Sequence, residues 1–247
     1  MLAEIPREEL SAVLDAVVGE TLAAAGVDGP PVDAFVVARA LGITVAADDR
    51  QRGRARYVRL GAHRPPDPRP AILLHDDPRP ERRQWAVAHE IGEHTAHRVF
   101  AQLGVDPREA FPNARETAAN RLAGRLLLPA DWFAADGAAC GWDLLELKSR
   151  YATASHELIA RRMLECPPSV IISIFDHGEL SFRQSNVSGR VPPPSPPEIE
   201  CWRKVHTDAR TGYAYEGTRT IQGWPIHEVG WKREILRAEV DEVTIGA

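Results

Sequence analysis

Apolar residues recur at Leu10, Val13, Leu14, Val17, Val18 and Leu22, a spacing that predicts a helix over residues 7–25, closed by Gly26. The stretch "PPVDAFVVARALGI" predicts a second, shorter helix, with Pro31 or Asp33 near its start and Gly42 past its end. The pattern then changes. "ARYVRLG" and "PAILLHD" are short and rich in Val, Ile, Leu and Tyr, and read as two strands joined by a Pro-rich connection. Helical spacing returns from Glu81 to Leu103, with Pro78 and Pro80 at its start and Gly104 after it. It returns again in "NARETAANRLAGRLLLP", from Asn113 to Leu128, where Pro129 stops it.

"WDLLELKSRY" and "ASHELIARRML" predict a helix pair within residues 143–164, turning at Ala152 and Thr153. "SVIISIFDHGELSFRQS" predicts a hairpin at 169–185 that turns on "DHGE". The Pro-rich run "RVPPPSPPE" reads as an extended linker over 187–197. Residues 198–247 hold Trp202, Trp224 and Trp231, three of the six tryptophans, which makes them too apolar for a disordered tail. They are expected to pack on a core domain of residues 1–186. No internal repeat is visible. The whole predicts an α+β fold with a small, mostly antiparallel sheet.

Composition narrows the function classes. The 247 residues are 44% hydrophobic and 26% charged, and no apolar run approaches the length of a membrane span. The first twenty residues lack the basic-then-apolar order of a signal peptide, so the expected location is the cytoplasm. A net charge of −5 gives no general attraction to nucleic acid. The basic run "RQRGRAR", Arg50 to Arg56, has no aromatic or helical context and reads as a solvated loop. The helix pair has the length of a helix-turn-helix, but its second helix opens "TASHEL", with Arg161 and Arg162 only near the end, which favours a structural pair. Cys140, Cys166 and Cys201 are odd in number and widely spaced, and read as small core residues rather than as a disulfide framework or zinc ligands.

The chemistry concentrates in "AVAHEIGEH", Ala86 to His94. On a helix, positions i and i+4 differ by about 40° around the axis and about 6 Å along it, so two side chains converge on one ion. The residue at i+1 lies roughly 100° round, beside the open position, where a carboxylate can take a proton from activated water. His89 fits the first ligand and Glu90 the base. A third ligand must come from elsewhere, and "RETAANRLAGR" offers Glu116, with Asn120 one turn later on the same face. Ala119, Ala123 and Gly124 give a small-residue surface on which two helices can approach closely. Asn120 either holds a ligand or the base in place, or is an ordinary polar helix residue.

"WAVAHEIGEH" followed by "ETAANRLAGRLLLP" resembles the ImmA/IrrE family of metallopeptidases. That family couples an AHExxH helix to a second helix that carries a glutamate and ends in Leu-Leu-Met-Pro; here Leu126 to Pro129 match that end. The resemblance implies a zincin-like core, zinc held by His89 and Glu116, Glu90 as general base, and cleavage of a regulatory protein, often a repressor or DNA-binding partner, in stress response or mobile-element control. The departure is Glu93, which stands where the family has its second histidine, with His94 one place late.

Three readings follow. Glu93 is itself the ligand, since carboxylates bind zinc at about 2.0–2.2 Å. Alternatively, a π-bulge near Gly92 turns His94 inward from its regular position about 140° away from His89. Or the metal is lost. The first is preferred, with His89, Glu93 and Glu116 as ligands; two carboxylates would make the metal a poorer Lewis acid, so slower hydrolysis or manganese in place of zinc is expected. His97 lies about 12 Å along the axis from His89 and is excluded. His75 ends a strand of the kind that receives extended peptides, though a turn residue is the plainer reading. The competing function is a peptidase-like scaffold that acts as a protein-interaction or regulatory module.

Overall fold

A computed structural model describes residues 5–48, 50, 53–60, 69–106 and 113–240. The connection between the first two predicted strands, with His63, and part of the basic run lie outside the described residues, as does the start of the segment leading into the second site helix. By its contacts the chain falls into two units, residues 1–133 with 150–155, and residues 134–149 with 156–247.

In the first unit, helix α1 (Arg7–Ala24) buries Leu10, Leu14, Val17, Val18 and Leu22, the residues that set its period. Each such side chain contributes about 1.5–3 kcal/mol on burial. Helix α2 (Ala34–Ala40) starts at Asp33, whose carboxylate accepts the Phe35 N–H at 2.8 Å. Strand β1 (Thr44–Ala47) was not foreseen; it is only four residues long and largely exposed. Strand β2 (Ala55–Leu60) and strand β3 (Arg69–Leu74) complete a three-stranded sheet in the order β1-β3-β2, with β1 parallel and β2 antiparallel to β3. Helix α3 (Pro80–Gln102) and helix α4 (Ala114–Leu127) follow, α3 with a proline in its first turn.

Gly92 of α3 explains how these two helices come together. A Cβ at Gly92 would stand 2.6 Å from the Ala119 carbonyl oxygen and 3.0 Å from the Ala119 Cα. The backbones therefore meet at a glycine and an alanine, and the short side chains on either side of that contact can reach one another.

Helix α5 (Ala130–Ala139) directly follows Pro129 and was also unforeseen. Helix α6 (Leu144–Arg150) and helix α7 (His156–Arg162) occupy the expected helix pair. On α7, Arg161 lies 3.9 Å over the Phe182 ring, while Arg162 is buried and pairs with Glu165.

The second unit carries an antiparallel five-stranded sheet in the order β5-β4-β8-β7-β6. Strands β4 (Val170–Asp176) and β5 (Glu179–Ser185) are the expected hairpin, turning through His177 and Gly178, both with positive φ. Helix α8 (Pro196–Asp208) begins within the stretch read as linker: Pro196 and Pro197 occupy the first turn, where a missing N–H costs nothing, and Glu198 accepts the Ser195 N–H at 2.8 Å. Strands β6 (Gly212–Glu216), β7 (Arg219–Glu228) and β8 (Trp231–Glu239) complete the sheet, which joins the hairpin through the pairing of β4 with β8. Helix α8 packs on this sheet through Cys201 and Val205. A Cβ at Gly212 or Gly223 would stand 2.8 or 2.9 Å from the Val205 side chain, so both glycines are needed for that approach. Cys166 and Cys201 are buried and Cys140 partly so, and none of them is in a disulfide among the described residues; burial pushes the Cys201 thiol up to about 11.

Candidate metal centre

Helix α3 runs as regular α-helix through Gly92 and His94, so its i, i+4 geometry applies unchanged. His89 and Glu93 share one face, and α4 brings Glu116 to it. The ligating atoms of His89, Glu93 and Glu116 lie within 4.8 Å of one another. His89 Nε2 is 3.6 Å from a Glu116 oxygen. Two donors on one tetrahedral zinc stand about 3.3 Å apart, so the pair is spaced for a shared cation with only a small adjustment.

Asn120 links the two. Its carbonyl oxygen lies 3.1 Å from His89 Nδ1, and its amide donates to Glu116 at 3.0 Å. With Nδ1–H donating to Asn120, the His89 tautomer has its free lone pair on Nε2, the nitrogen that faces Glu116.

Glu90 is 7% exposed. Its carboxylate accepts the backbone N–H of Tyr57, on β2, at 2.6 Å. Burial raises its pKa above the usual carboxylate value; the Tyr57 hydrogen bond and the charge of His89 oppose this, and Glu93 and Glu116 add to it. A base held in this way is closer to neutrality than a surface glutamate, which suits proton transfer in both directions.

His94 takes a different place. Its Nδ1 lies 2.9 Å from the Tyr57 hydroxyl and its ring tilts against that of Tyr57 at 5.3 Å. Burial, helped by the charges of His97 and Arg59, holds its pKa below the ordinary histidine value. With no bulge in α3, nothing turns this ring toward His89. His97 is exposed and bonds to the His94 carbonyl.

Two participants escaped the sequence reading. Arg115 lies next to Glu116 in sequence, yet it reaches across to α3: its Nε is 2.6 Å from a Glu93 oxygen and its Nη2 donates to the Glu93 carbonyl at 3.2 Å. Tyr57 contributes a backbone N–H to Glu90 and a hydroxyl to His94; its only sequence signal was membership of a strand. Tyr57 lies on β2, which borders the sheet, whereas β3 is its middle strand. His75 follows β3 and donates its N–H to the Arg54 carbonyl, a loop contact. The sheet's edges are therefore β1 and β2, of which β2 carries the bond to Glu90, and the strand before His75 is interior.

A family model, peptidase M78 or the IrrE N-terminal-like domain, matches residues 38–164, which span β1 to β3, α3, α4 and the following helices. Among solved structures, a Mycobacterium tuberculosis transcriptional regulator is similar in fold, with a TM-score of 0.62 over 92% of this chain and 75% of that chain at 18% identity. No curated protein matches the chain. Among the described residues no helix is long and apolar enough to cross a membrane. With half of its length under that model, and with the two helices of the cluster inside the match, the chain belongs to the IrrE N-terminal-like family of M78 peptidases.

Proposed function

We propose that this protein is a zinc-dependent endopeptidase of zincin-like architecture whose cation is held by His89, Glu93 and Glu116. The observation that carries the reading is the juxtaposition of that donor set with the buried carboxylate of Glu90, itself bonded to an edge strand. The donors suit a zinc-class ion: one imidazole nitrogen and two carboxylates, with a tautomer fixed by Asn120. When bound, such an ion supplies Lewis acidity that polarises a carbonyl and makes water easier to deprotonate.

The residues do the rest. An extended polypeptide pairs along β2, which sets its backbone beside Glu90. Glu90 takes a proton from water as the scissile carbonyl is attacked, then returns it to the departing amine. Arg115 shares the Glu93 carboxylate and so reduces the negative charge that this unusual ligand brings to the cation. That tempers the loss of acidity expected when a glutamate stands in for a histidine. The substrate class, by the family and by the fold shared with a transcriptional regulator, is a regulatory protein within the cell.

The Arg115–Glu93 pair also favours a second reading, in which the arginine takes the cation's place and the scaffold binds a partner without cleaving it. One experiment separates the two. Metal content and hydrolysis of an unfolded casein substrate are measured for the wild type, His89→Ala and Glu116→Ala. The peptidase is expected to carry zinc at His89 and Glu116 and to lose both metal and cleavage on either change; a wild type that takes up no ion dependent on His89 overturns it in favour of the binding module.

A further inference from the structure

A second group of metal-ligating side chains lies in the C-terminal unit, outside the family match. His206 is in the last turn of α8, His227 is on β7 and Glu234 is on β8; their ligating atoms lie within 4.8 Å of one another. Glu234 is completely buried. One of its oxygens, Oε1, is 3.0 Å from His206 Nδ1 and 2.6 Å from His227 Nε2. The other, Oε2, accepts the Trp202 indole N–H at 3.2 Å, and the Trp202 ring is stacked on Phe175 at 4.9 Å.

A carboxylate taken wholly out of water needs charge compensation. The arginines flanking Glu234 on β8 do not give it. Arg233 is engaged by Asp176 and Glu157, and Arg237 by Gln222 and Glu239. Among the described residues, the side chains that meet Glu234 are two imidazoles and an indole. All the nitrogen facing Oε1 is imidazole nitrogen, a common ligand for a zinc-class ion.

From this we infer that the second unit binds a zinc-class divalent cation through His206 Nδ1, His227 Nε2 and Glu234 Oε1. Two imidazoles and one carboxylate are an ordinary three-ligand set for zinc. The nitrogen–oxygen separations need open only to about 3.3 Å for both rings to share a tetrahedral ion with the carboxylate. Trp202 holds the second oxygen, which keeps Glu234 oriented as a one-oxygen ligand. The imidazoles are partly exposed, 32% at His206 and 19% at His227, which leaves a path for the ion and a fourth position for water. Because the ligands come from α8, β7 and β8, the ion would staple the helix to the sheet. The proposal does not depend on the reading of His89, Glu93 and Glu116.

The test titrates zinc into the full chain, freed of metal, and reads stoichiometry and thermal unfolding for three proteins. The His89→Ala/Glu116→Ala double variant is expected to bind one equivalent and to gain several degrees in Tm with zinc. In that background, His206→Gln/His227→Gln is expected to bind none and to lose the gain; glutamine retains an N–H for Glu234, so the variant should fold. The side-chain resonances of His206 and His227 in the first double variant give an independent readout that leaves this cluster unaltered, and zinc should shift both. Unshifted resonances and no uptake by the first double variant would overturn the site, leaving a hydrogen-bonded buried carboxylate. Loss of the first site alone would instead show as one equivalent in the wild type, retained in His89→Ala/Glu116→Ala.

Discussion

The two histidine–carboxylate clusters use similar donors in different settings. The first takes two candidate ligands from one helix, a turn apart, and a third from a neighbouring helix. Its Glu116 side chain is 60% exposed, and a further carboxylate, Glu90, lies buried beside it. The second takes one ligand from each of three elements around a Glu234 that is 0% exposed. Its one carboxylate is a ligand, so the cluster has no base of its own. The contrast teaches that ligand identity alone does not mark a reactive site. What distinguishes the first is a spare buried carboxylate with a raised pKa, hydrogen-bonded to an edge strand along which the proposed function runs the substrate.

The largest effect expected from breaking that contrast is at Glu90. Glu90→Gln should reduce peptide hydrolysis by about 10²- to 10⁴-fold, the usual contribution of a positioned base, while zinc content stays unchanged. The same change should raise Tm at neutral pH. Burial raises the Glu90 pKa, so ionising it in the folded chain costs stability, and that cost is present above its folded pKa. Glutamine removes the charge and still accepts the Tyr57 N–H. In the wild type, kcat/KM should fall as pH drops through a value above the ordinary glutamate range. A variant that loses activity and stability together would make Glu90 a structural residue, and the contrast between the clusters would disappear.

Next in size is the helix contact beneath the first site. Gly92→Val would drive a branched side chain into the Ala119 backbone, where even a Cβ stands at 2.6 Å. Overpacking of this kind costs about 1–3 kcal/mol, and urea unfolding should show it. Because the shift separates α3 from α4, zinc affinity at the first cluster should fall too, while uptake by the second is untouched. Equal loss at both would mean that the clusters are not independent.

The unequal legibility of the two clusters has the same cause as their difference. His89, Glu90 and Glu93 lie within five residues, and helical geometry turns their spacing into a shared face, so this half of the first cluster could be read directly. Glu116 needed a second helix with a small-residue surface, and Ala119 in that surface is where Gly92 meets it. Arg115 could not be read this way, because its long side chain leaves its own helix to reach Glu93. The second cluster was invisible. His206, His227 and Glu234 have no common period, and only the pairing of β7 with β8 and the packing of α8 bring them together. The end of the proline run overlaps α8 by two residues for a related reason: proline breaks a helix interior but suits its first turn, and the composition of 187–197 does not show where a first turn begins.

A smaller effect tests the frame around the second cluster. Arg233, adjacent to Glu234 on β8, donates to both oxygens of Asp176 at 2.7 and 3.1 Å and to Glu157 at 2.6 Å. Burial works against ionising Asp176, but hydrogen bonds from Arg233 and Ser181 and the Arg233 charge hold its pKa below the usual aspartate value. Its stabilising contribution is therefore complete above the ordinary aspartate pKa and is lost as pH falls through the lower folded value. Asp176→Asn should cost about 1–2 kcal/mol at pH 7. The gap between wild type and variant should close on acidification below about pH 4, followed by tryptophan fluorescence. A gap that persists at low pH would assign the role to shape rather than charge.

The smallest effect is at Arg115, and it bears most closely on what the first cluster is. Arg115 is 61% exposed, so its pair with Glu93 is screened by water, and exposed pairs contribute about 0.2–1 kcal/mol. Through a carboxylate shared between arginine and cation, that range corresponds to a change of about 1.4- to 5-fold in zinc affinity. Arg115→Ala should tighten zinc by this factor, because Glu93 then serves the ion alone. Turnover should fall by a similar factor, because the ion receives more negative charge and acidifies water less well. Opposite movement of affinity and turnover is the signature of an arginine that tunes its ligand. If Arg115→Ala instead creates zinc binding where the wild type has none, the arginine is the cation's substitute, and the first cluster joins the second as a site without hydrolytic work.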